Sequence, residues 1–170
     1  MHLQLKTERL TFRRYTMDDL PFVQSLVTDP NVMKYIGDGE VKDVGYAQQL
    51  ITRMQKQYDN WDIYGLHVLE HNETGERIGH AGIVAQVIDD TFELELGYWI
   101  APAYWGQGYG FEAASTLKQY ADEELELERY ISAVQVGNEG SKRIAIKNDM
   151  QYLKTIEMDG KMVDIYINAI

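Results

Sequence analysis

The stretch from Glu95 to Ala113 constrains the fold most, because it predicts a strand, a glycine-rich loop and a helix in succession. Apolar residues alternate from Phe92 to Ile100, the two-residue period of a strand with one buried face. Pro102 ends that strand, since proline cannot donate to a ladder. Small and apolar residues then recur at helical spacing from Ala113 to Ala121. The chain must therefore carry a glycine loop between a sheet and the start of a helix.

The glycines of this loop, Gly106, Gly108 and Gly110, have a physical use at that position. Backbone N–H groups at a helix start have no intrahelical partner, and the helix dipole favours negative charge there. Glycine also lets the backbone approach a phosphate without a Cβ in the way. The pattern predicts a pyrophosphate cradle. A strand-to-helix turn that merely requires glycine is the alternative, and the glycines alone do not separate the two.

Residues Glu95–Trp99 and Tyr104–Ala113 resemble the coenzyme A loop of the GNAT acyltransferases. The closest likeness is to the branch that acetylates protein N-termini, which includes the ribosomal-protein alanine N-acetyltransferases. Three further blocks agree with the family in order along the chain. These are Thr7–Leu10 with Asp29–Met33, then Arg77–Gly82, then Asn138–Ala145.

This resemblance implies acetyl-CoA as the cofactor. It also implies a backbone N–H near Trp99 or Ile100 as the donor to the carbonyl oxygen of the thioester. The cofactor-binding residues that it implies are Trp99, Ile100, Trp105, Gly106, Gln107, Gly108, Tyr109, Gly110, Phe111 and Asn138.

Two glutamates, Glu93 and Glu95, fall on one face of the predicted strand because they are two residues apart. Carboxylates about 6 to 7 Å apart repel each other, which raises the pKa of one toward a value useful for a base. Either could then take a proton from an amine. Glu95 also matches the family's strand glutamate, so we assign it as the base, acting directly or through water. A solvent-facing acidic pair or a salt-bridge partner is the alternative.

The spacing of Asn138, Ser141 and Arg143 resembles the family's second cofactor motif. There the asparagine helps to hold the pantetheine arm and the serine lies near the thiol, which implies Ser141 as the donor to the departing thiolate. On spacing alone, Ser141 is equally well a second capping hydroxyl behind the N-cap Asn138. Ala145 stands where many GNAT enzymes carry a tyrosine acid, and residues 148–150 depart from the usual Gly-Phe.

The remaining pattern predicts one α/β (α+β) domain over residues 1–170. Strands are expected at 5–15, 63–70, 77–88, 92–100 and 130–136, with a final hairpin around Asp159-Gly160. Thr16 and Asp19 form a capping box before a helix, and further helices are expected at about 43–58, up to about 123, and after Asn138. The resemblance implies a mostly antiparallel sheet of about seven strands, splayed between the Glu95 and Tyr130 strands, with helices on both faces.

Charge and composition exclude several classes of partner. With 16 basic and 27 acidic residues the net charge is −11, which argues against nucleic acid and suits a cationic acceptor. No apolar run is long enough for a membrane span. There is no cysteine, and the four histidines, His2 included, lack ligand spacing, so no metal site is predicted. We expect a cytoplasmic monomer or homodimer.

The sequence thus predicts an acetyl-CoA-dependent N-acetyltransferase in which a primary amine attacks the thioester directly. The acceptor is a protein N-terminus, a polyamine or another small amine, and the short turn at 158–161 counts against a peptide. Asp38 and Glu40 either contact a cationic substrate or are simply solvated. A non-catalytic, regulatory coenzyme A-binding module is the alternative. A dinucleotide-binding oxidoreductase is disfavoured, because the glycine spacing does not fit its fingerprint.

Overall fold

Seven strands form a single sheet in the computed structural model, which describes residues 4–169. In chain order they are β1 (Leu10–Arg14), β2 (Gly65–His71), β3 (Arg77–Ile88), β4 (Thr91–Ile100), β5 (Ile131–Gln135), β6 (Gln151–Met158) and β7 (Lys161–Ile167). Their spatial order is β1-β2-β3-β4-β5-β7-β6, and every neighbouring pair is antiparallel except β4 and β5. The predicted class and mostly antiparallel sheet are confirmed.

The α-helices are α1 (Leu20–Val27), α2 (Pro30–Met33), α3 (Val44–Asn60), α4 (Tyr109–Gln119) and α5 (Glu139–Lys147). The predicted capping box is present, with Thr16 and Asp19 bonded reciprocally, although the first turn it caps is a short 3-10 turn before α1. Asn138 caps α5 as expected, since its side chain accepts from the backbone N–H of Ser141. Among residues 4–169, no helix has both the length and the apolar character needed to cross a membrane.

Helices cover both faces of the sheet, as predicted. Ala113 and Leu117 of α4 and Ala145 of α5 are buried in one core with the even-numbered side chain Leu96 of β4. On the opposite face, α1, α2 and α3 bury a second core against β2. The odd-numbered side chains of β4, Glu95 among them, point to that second face because side chains alternate along a strand.

The sheet opens between its two parallel strands. β4 and β5 pair at one position only, Glu95 with Ile131, while β3 and β4 stay paired from end to end. Beyond Glu95 the two strands separate, so the edge of β4 facing β5 has no strand partner. The predicted splay is confirmed, and it places Glu95 at the apex of the opening.

Two sequence expectations need correction. Phe92 is expected on the buried face of β4, yet it is 61 % exposed, because it lies next to the turn of the β3–β4 hairpin, where its cross-strand partner Val87 is exposed as well. The first strand was expected from residue 5, but β1 begins at Leu10. Thr7 instead closes a turn, with its N–H donating to the Leu10 carbonyl at 2.7 Å.

Candidate active site

A cavity of about 890 Å³ lies where β4 and β5 part. One wall is the end of β4 with the glycine loop that follows it, and the other is β5 with the first turn of α5. The loop after α2 and the β6–β7 turn border the cavity as well. The cleft therefore gathers residues that are far apart in the sequence around the single point where the sheet splits.

The glycine loop has the backbone that a phosphate cradle requires. Gly106 and Gly108 have φ of 75° and 84°, in the left-handed region that favours glycine. Gly108 is the N-cap of α4, and no side chain caps the helix N–H groups. A Cβ on Gly110 would approach Ile144 Cδ1 to 3.1 Å, so the helix start also packs tightly against α5. The uncapped N–H groups, together with the missing side chains, fit the pyrophosphate of coenzyme A.

The structure brings almost all the predicted site residues into this one cavity. Gln107 is the exception, since its side-chain amide donates to the Ala103 carbonyl at 3.4 Å and does not line the cavity. The indole N–H of Trp105 donates to the Ile100 carbonyl at 2.6 Å, which ties the loop back to the end of β4. The predicted residues that line the cavity are Glu95, Trp99, Ile100, Trp105, Gly106, Gly108, Tyr109, Gly110, Phe111, Asn138 and Ser141.

Glu95 has the environment of a base. Its carboxyl faces the cavity, and burial raises its pKa to about 7. A hydrogen bond that Gln86 Nε2 donates to Glu95 Oε1 opposes part of this shift. A carboxyl with a pKa of about 7 is partly ionised at neutral pH and can both accept and release a proton.

The cause proposed from the sequence for this shift, repulsion from Glu93, is wrong. The Glu93 carboxylate is held by Arg129, whose Nη2 lies 2.8 Å from Glu93 Oε1, so a cation compensates its charge. Burial, and not a neighbouring carboxylate, is the largest influence on the pKa of Glu95. Although both glutamates lie on the same face of β4, only Glu95 of the two lines the cavity.

Ser141 has two polar neighbours at the start of α5. Asn138 Nδ2 donates to Ser141 Oγ at 3.1 Å, and Ser141 lies close enough to the Tyr98 hydroxyl to oppose part of the rise in its pKa. Burial raises the pKa of Tyr98 to about 12, so this phenol keeps its proton at neutral pH. Sequence reasoning missed Tyr98 as a functional group, although its place in the strand beside Gly97 was visible. The Ser141 hydroxyl is thus held by Asn138, the N-cap of the same helix.

His80 is a core residue, as the sequence interpretation favoured. It is fully buried, its Nδ1 lies 2.6 Å from the Tyr15 hydroxyl oxygen, and its ring packs on Trp99 with centroids 4.5 Å apart. Burial lowers its pKa to about 3, so it stays neutral. His80 supports the wall that Trp99 presents to the cavity.

Sequence reasoning also missed several residues that border the cavity. Lys34 and Tyr35 follow α2, and Asp159 sits in the β6–β7 turn. Arg143 of α5, which the sequence motif already included, lines the cavity as well. No periodic or motif signal singles out Lys34, Tyr35 or Asp159, because only the tertiary fold carries their loops to the cleft. Asp38 does not line the cavity: it pairs with Lys42 at 2.8 Å, as a solvated loop residue would. Glu40 does not line it either.

Comparison with known proteins decides the family. Residues 9–151 match the family model described as an acetyltransferase (GNAT) domain. The chain belongs to the GNAT acetyltransferase family. YkkB, an uncharacterized protein of Bacillus subtilis strain 168, is 31% identical over 164 residues, covering 96% of this chain and 94% of YkkB. The resemblance noted from the sequence is thereby confirmed, and this GNAT protein is an N-acetyltransferase.

Solved GNAT structures share the fold. The crystal structure of an acetyltransferase from Agrobacterium tumefaciens strain C58 matches with a TM-score of 0.84 and 26% identity, covering 100% of this chain and 96% of that one. RimL, a ribosomal L7/L12 alpha-N-protein acetyltransferase solved with coenzyme A, matches in fold with a TM-score of 0.79 and 14% identity, covering 99% and 98%. The likeness to the ribosomal-protein branch thus extends to the fold.

Replacing Gly108 with alanine should weaken coenzyme A binding about tenfold or more, because the new Cβ would stand in the cradle and displace a backbone donor. The fold should survive, since that Cβ would meet only Arg9 Nη2, at 3.5 Å. Calorimetric titration with coenzyme A gives the dissociation constant.

The matched control is Gly75→Ala. Gly75 has φ of +73° and lies in an exposed turn with nothing near its Cβ position, so it carries the same left-handed strain, about 1–2 kcal/mol. The melting temperature should fall by a similar amount in both variants, but only Gly108→Ala should bind coenzyme A more weakly. Equal affinities in the two variants would show that the loop is only a turn.

Proposed function

We propose that this protein transfers the acetyl group of acetyl-CoA to a small primary amine, with Glu95 as the base. The observation that carries the proposal is the position of Glu95. A carboxyl whose pKa is raised to about 7 lies at the apex of the cleft, in the same cavity as the glycine loop. A base tuned to neutral pH beside a cofactor cradle has the properties that amine acetylation requires.

Acetyl-CoA supplies an activated acetyl group when it is bound. The chain's first task is to hold it, and we assign the uncapped N–H groups at the α4 start to its pyrophosphate. By resemblance to the family, Asn138 holds the pantetheine arm, together with Trp99 and Ile100 at the end of β4. The free edge of β4 beyond Glu95 offers backbone N–H groups that can donate to a developing oxyanion.

Proton transfer falls to side chains at the two ends of the cleft. An amine must be neutral to react, so the Glu95 carboxylate takes its proton, directly or through one water. Ser141 Oγ on α5 and the Tyr98 hydroxyl on β4 both hold protons at neutral pH and lie close to each other. We assign Ser141 as the donor to the leaving group and Tyr98 as its neighbouring support.

Three contacts of the segment 34–40, here called the strap, favour a small acceptor. Gln135 Nε2 of β5 donates to the Gly37 carbonyl at 2.7 Å. The Tyr35 ring approaches Gly137, where an added Cβ would lie 3.4 Å from it. Gly39 packs on Lys161 after the β6–β7 turn, with Lys161 Cε 3.6 Å from its Cβ position. The strap thus joins the helical layer to β5 and to the final hairpin, which leaves little room for a polypeptide to pass.

The net charge of the chain favours a cationic acceptor. The charged groups that line the cavity balance, since Glu95 and Asp159 bring two carboxyls and Lys34 and Arg143 bring two cationic groups. The chain as a whole carries a net charge of −11, which attracts cationic acceptors over a longer range. This long-range attraction favours a small cationic amine over an anionic one.

The test is release of coenzyme A thiol from acetyl-CoA with two panels of acceptors. One panel holds diamines, polyamines and arylalkylamines, and the other holds peptides with free Ser or Ala N-termini. We expect turnover with members of the first panel, with acetylated product confirmed by mass spectrometry. Turnover confined to the peptides would overturn the small-amine assignment. Coenzyme A binding without thiol release from either panel would favour the non-catalytic, regulatory module.

A further inference from the structure

The N-terminal block Thr7–Leu10, which the catalytic assignment leaves unexplained, lies against the first turn of α4. The carboxylate of Glu112 accepts from three groups of this block. Arg9 Nε donates to Glu112 Oε1 at 2.8 Å, the Arg9 backbone N–H donates to Oε2 at 3.1 Å, and Thr7 Oγ1 donates to the same Oε2. A single side chain of α4 is therefore fixed by residues more than a hundred positions earlier in the sequence.

The Arg9 side chain then continues to the glycine loop itself. Its guanidinium carbon lies 4.0 Å from the centroid of the Tyr109 ring, and its Nη2 lies 3.5 Å from the position a Cβ would take on Gly108. Arg9 thus contacts the last loop residue and the first helical residue at once. Gly108 has no side chain of its own with which to fix its left-handed conformation.

We propose that Arg9 is a positioning residue for the coenzyme A loop. With Thr7 and Glu112 it forms a brace that holds Gly108 and Tyr109 so that the N–H groups of α4 face the cleft before ligand arrives. The physical benefit is preorganisation: a glycine loop ordered in advance loses less entropy on binding. Because Glu112 neutralises the guanidinium, the brace acts chiefly through geometry and not through net charge. The proposal rests on the assignment of residues 106–110 as the coenzyme A loop.

The test compares Arg9→Met with a matched control, Arg14→Met. Like Arg9, Arg14 stacks over an aromatic ring (Tyr58, at 4.8 Å) and donates a hydrogen bond, here to the Asp62 backbone, but it lies at the far end of β1 and does not line the cavity. We expect Arg9→Met to weaken coenzyme A binding about tenfold in calorimetric titration, and Arg14→Met to change it by less than about twofold. Comparable weakening in both variants would mean a general loss of stability and would overturn the proposal.

Hydrogen exchange in the unliganded protein gives a readout that does not need binding. Amides of peptides covering residues 104–112 should exchange faster in Arg9→Met and in Glu112→Gln than in wild type, with no change in Arg14→Met. Since Arg9 and Glu112 act as one unit, the double variant should bind coenzyme A as weakly as either single variant, within about twofold. Unchanged exchange, or losses that multiply in the double variant, would contradict the brace.

Two measurements distinguish a positioning role of Arg9 from a direct contact with a phosphate of coenzyme A. They are the affinity of Arg9→Lys for coenzyme A and the salt dependence of binding. A positioning role predicts that lysine restores binding only in part, because an ammonium cannot stack in the guanidinium's planar geometry. Full rescue by lysine, with a loss in Arg9→Met that shrinks as salt is raised, would indicate a phosphate ligand instead and overturn the positioning role. Failure of wild type to bind coenzyme A would instead remove the loop assignment on which the proposal rests.

Discussion

Glu95→Gln should lower kcat/KM for acetyl transfer by about 10²–10⁴-fold while changing coenzyme A affinity by less than about twofold. Glutamine keeps the size and the hydrogen-bonding capacity of the side chain, including a partner for Gln86, but it cannot accept a proton from the amine. The loss should therefore appear in kcat. Steady-state thiol release, with the best amine of the small-acceptor panel, measures kcat and kcat/KM.

The pH profile gives the same prediction a second readout. Burial raises the pKa of Glu95 to about 7, and the base is active when deprotonated, so wild-type activity should rise as pH increases through about 7. Glu95→Gln should lack the inflection near pH 7 and keep only the rise that deprotonation of the amine itself causes. The control is Glu93→Gln. Glu93 lies on the same face of β4, but Arg129 holds its carboxylate and it does not line the cavity. Glu93→Gln should keep the wild-type profile. A Glu95→Gln enzyme with full activity and an unchanged profile would exclude Glu95 as the base.

Asp19→Ala should lower the free energy of unfolding by about 1–3 kcal/mol, because it removes the buried carboxylate that two partly exposed guanidinium groups and one backbone N–H share. Asp19 is fully buried at the entry to α1. Its two oxygens accept from Arg13 at 2.8 and 3.0 Å, from Arg77 Nε at 2.7 Å and from the Thr16 N–H at 2.8 Å. This carboxylate links β1, β3 and the capped turn. Urea unfolding at pH 7 measures the loss.

The Asp19 carboxylate should also make the free energy of unfolding depend on pH. Burial alone would raise the pKa of Asp19, but the hydrogen bonds from Arg13, Thr16 and Arg77 outweigh it and lower the pKa from 3.8 to about 2. The contribution of Asp19 to the free energy of unfolding is therefore complete above the pKa that its carboxyl has in the unfolded chain. It is lost as pH falls from about 4 toward 2. Asp18→Ala, at the exposed neighbour, should cost less than about 0.5 kcal/mol. Equal stability of Asp19→Ala and Asp18→Ala would contradict the role of Asp19.

Local patterns were enough to predict most of the fold. The period-2 alternation predicted β4, and a long apolar run predicted β3, almost to the residue. The capping residues Thr16 and Asn138 marked where helical segments begin. These signals work because alternation and capping depend on residues close in the chain. Phe92 failed the same rule, because it lies next to the turn of the β3–β4 hairpin, where its cross-strand partner Val87 is exposed as well.

The site was predicted less completely, for a physical reason. Glycine spacing and a family likeness located the loop and Glu95, but the environment of Glu95 depends on tertiary packing. Arg129 reaches Glu93 across 36 positions, so the expected repulsion never arises. The approach of Tyr98 to Ser141, the brace at Arg9 and the strap are likewise contacts between distant segments. None leaves a local pattern in the sequence.

The most direct test of the account is calorimetric titration of the purified protein with acetyl-CoA, with NAD as the control ligand. We expect one acetyl-CoA per chain at a dissociation constant on the order of micromolar, about −8 kcal/mol, and no heat from NAD. That result would establish that the cleft between β4 and β5 holds the acetyl donor. Absence of binding at about millimolar acetyl-CoA would contradict the account, because the glycine loop would then be a turn and Glu95 a buried carboxyl with no substrate to act on.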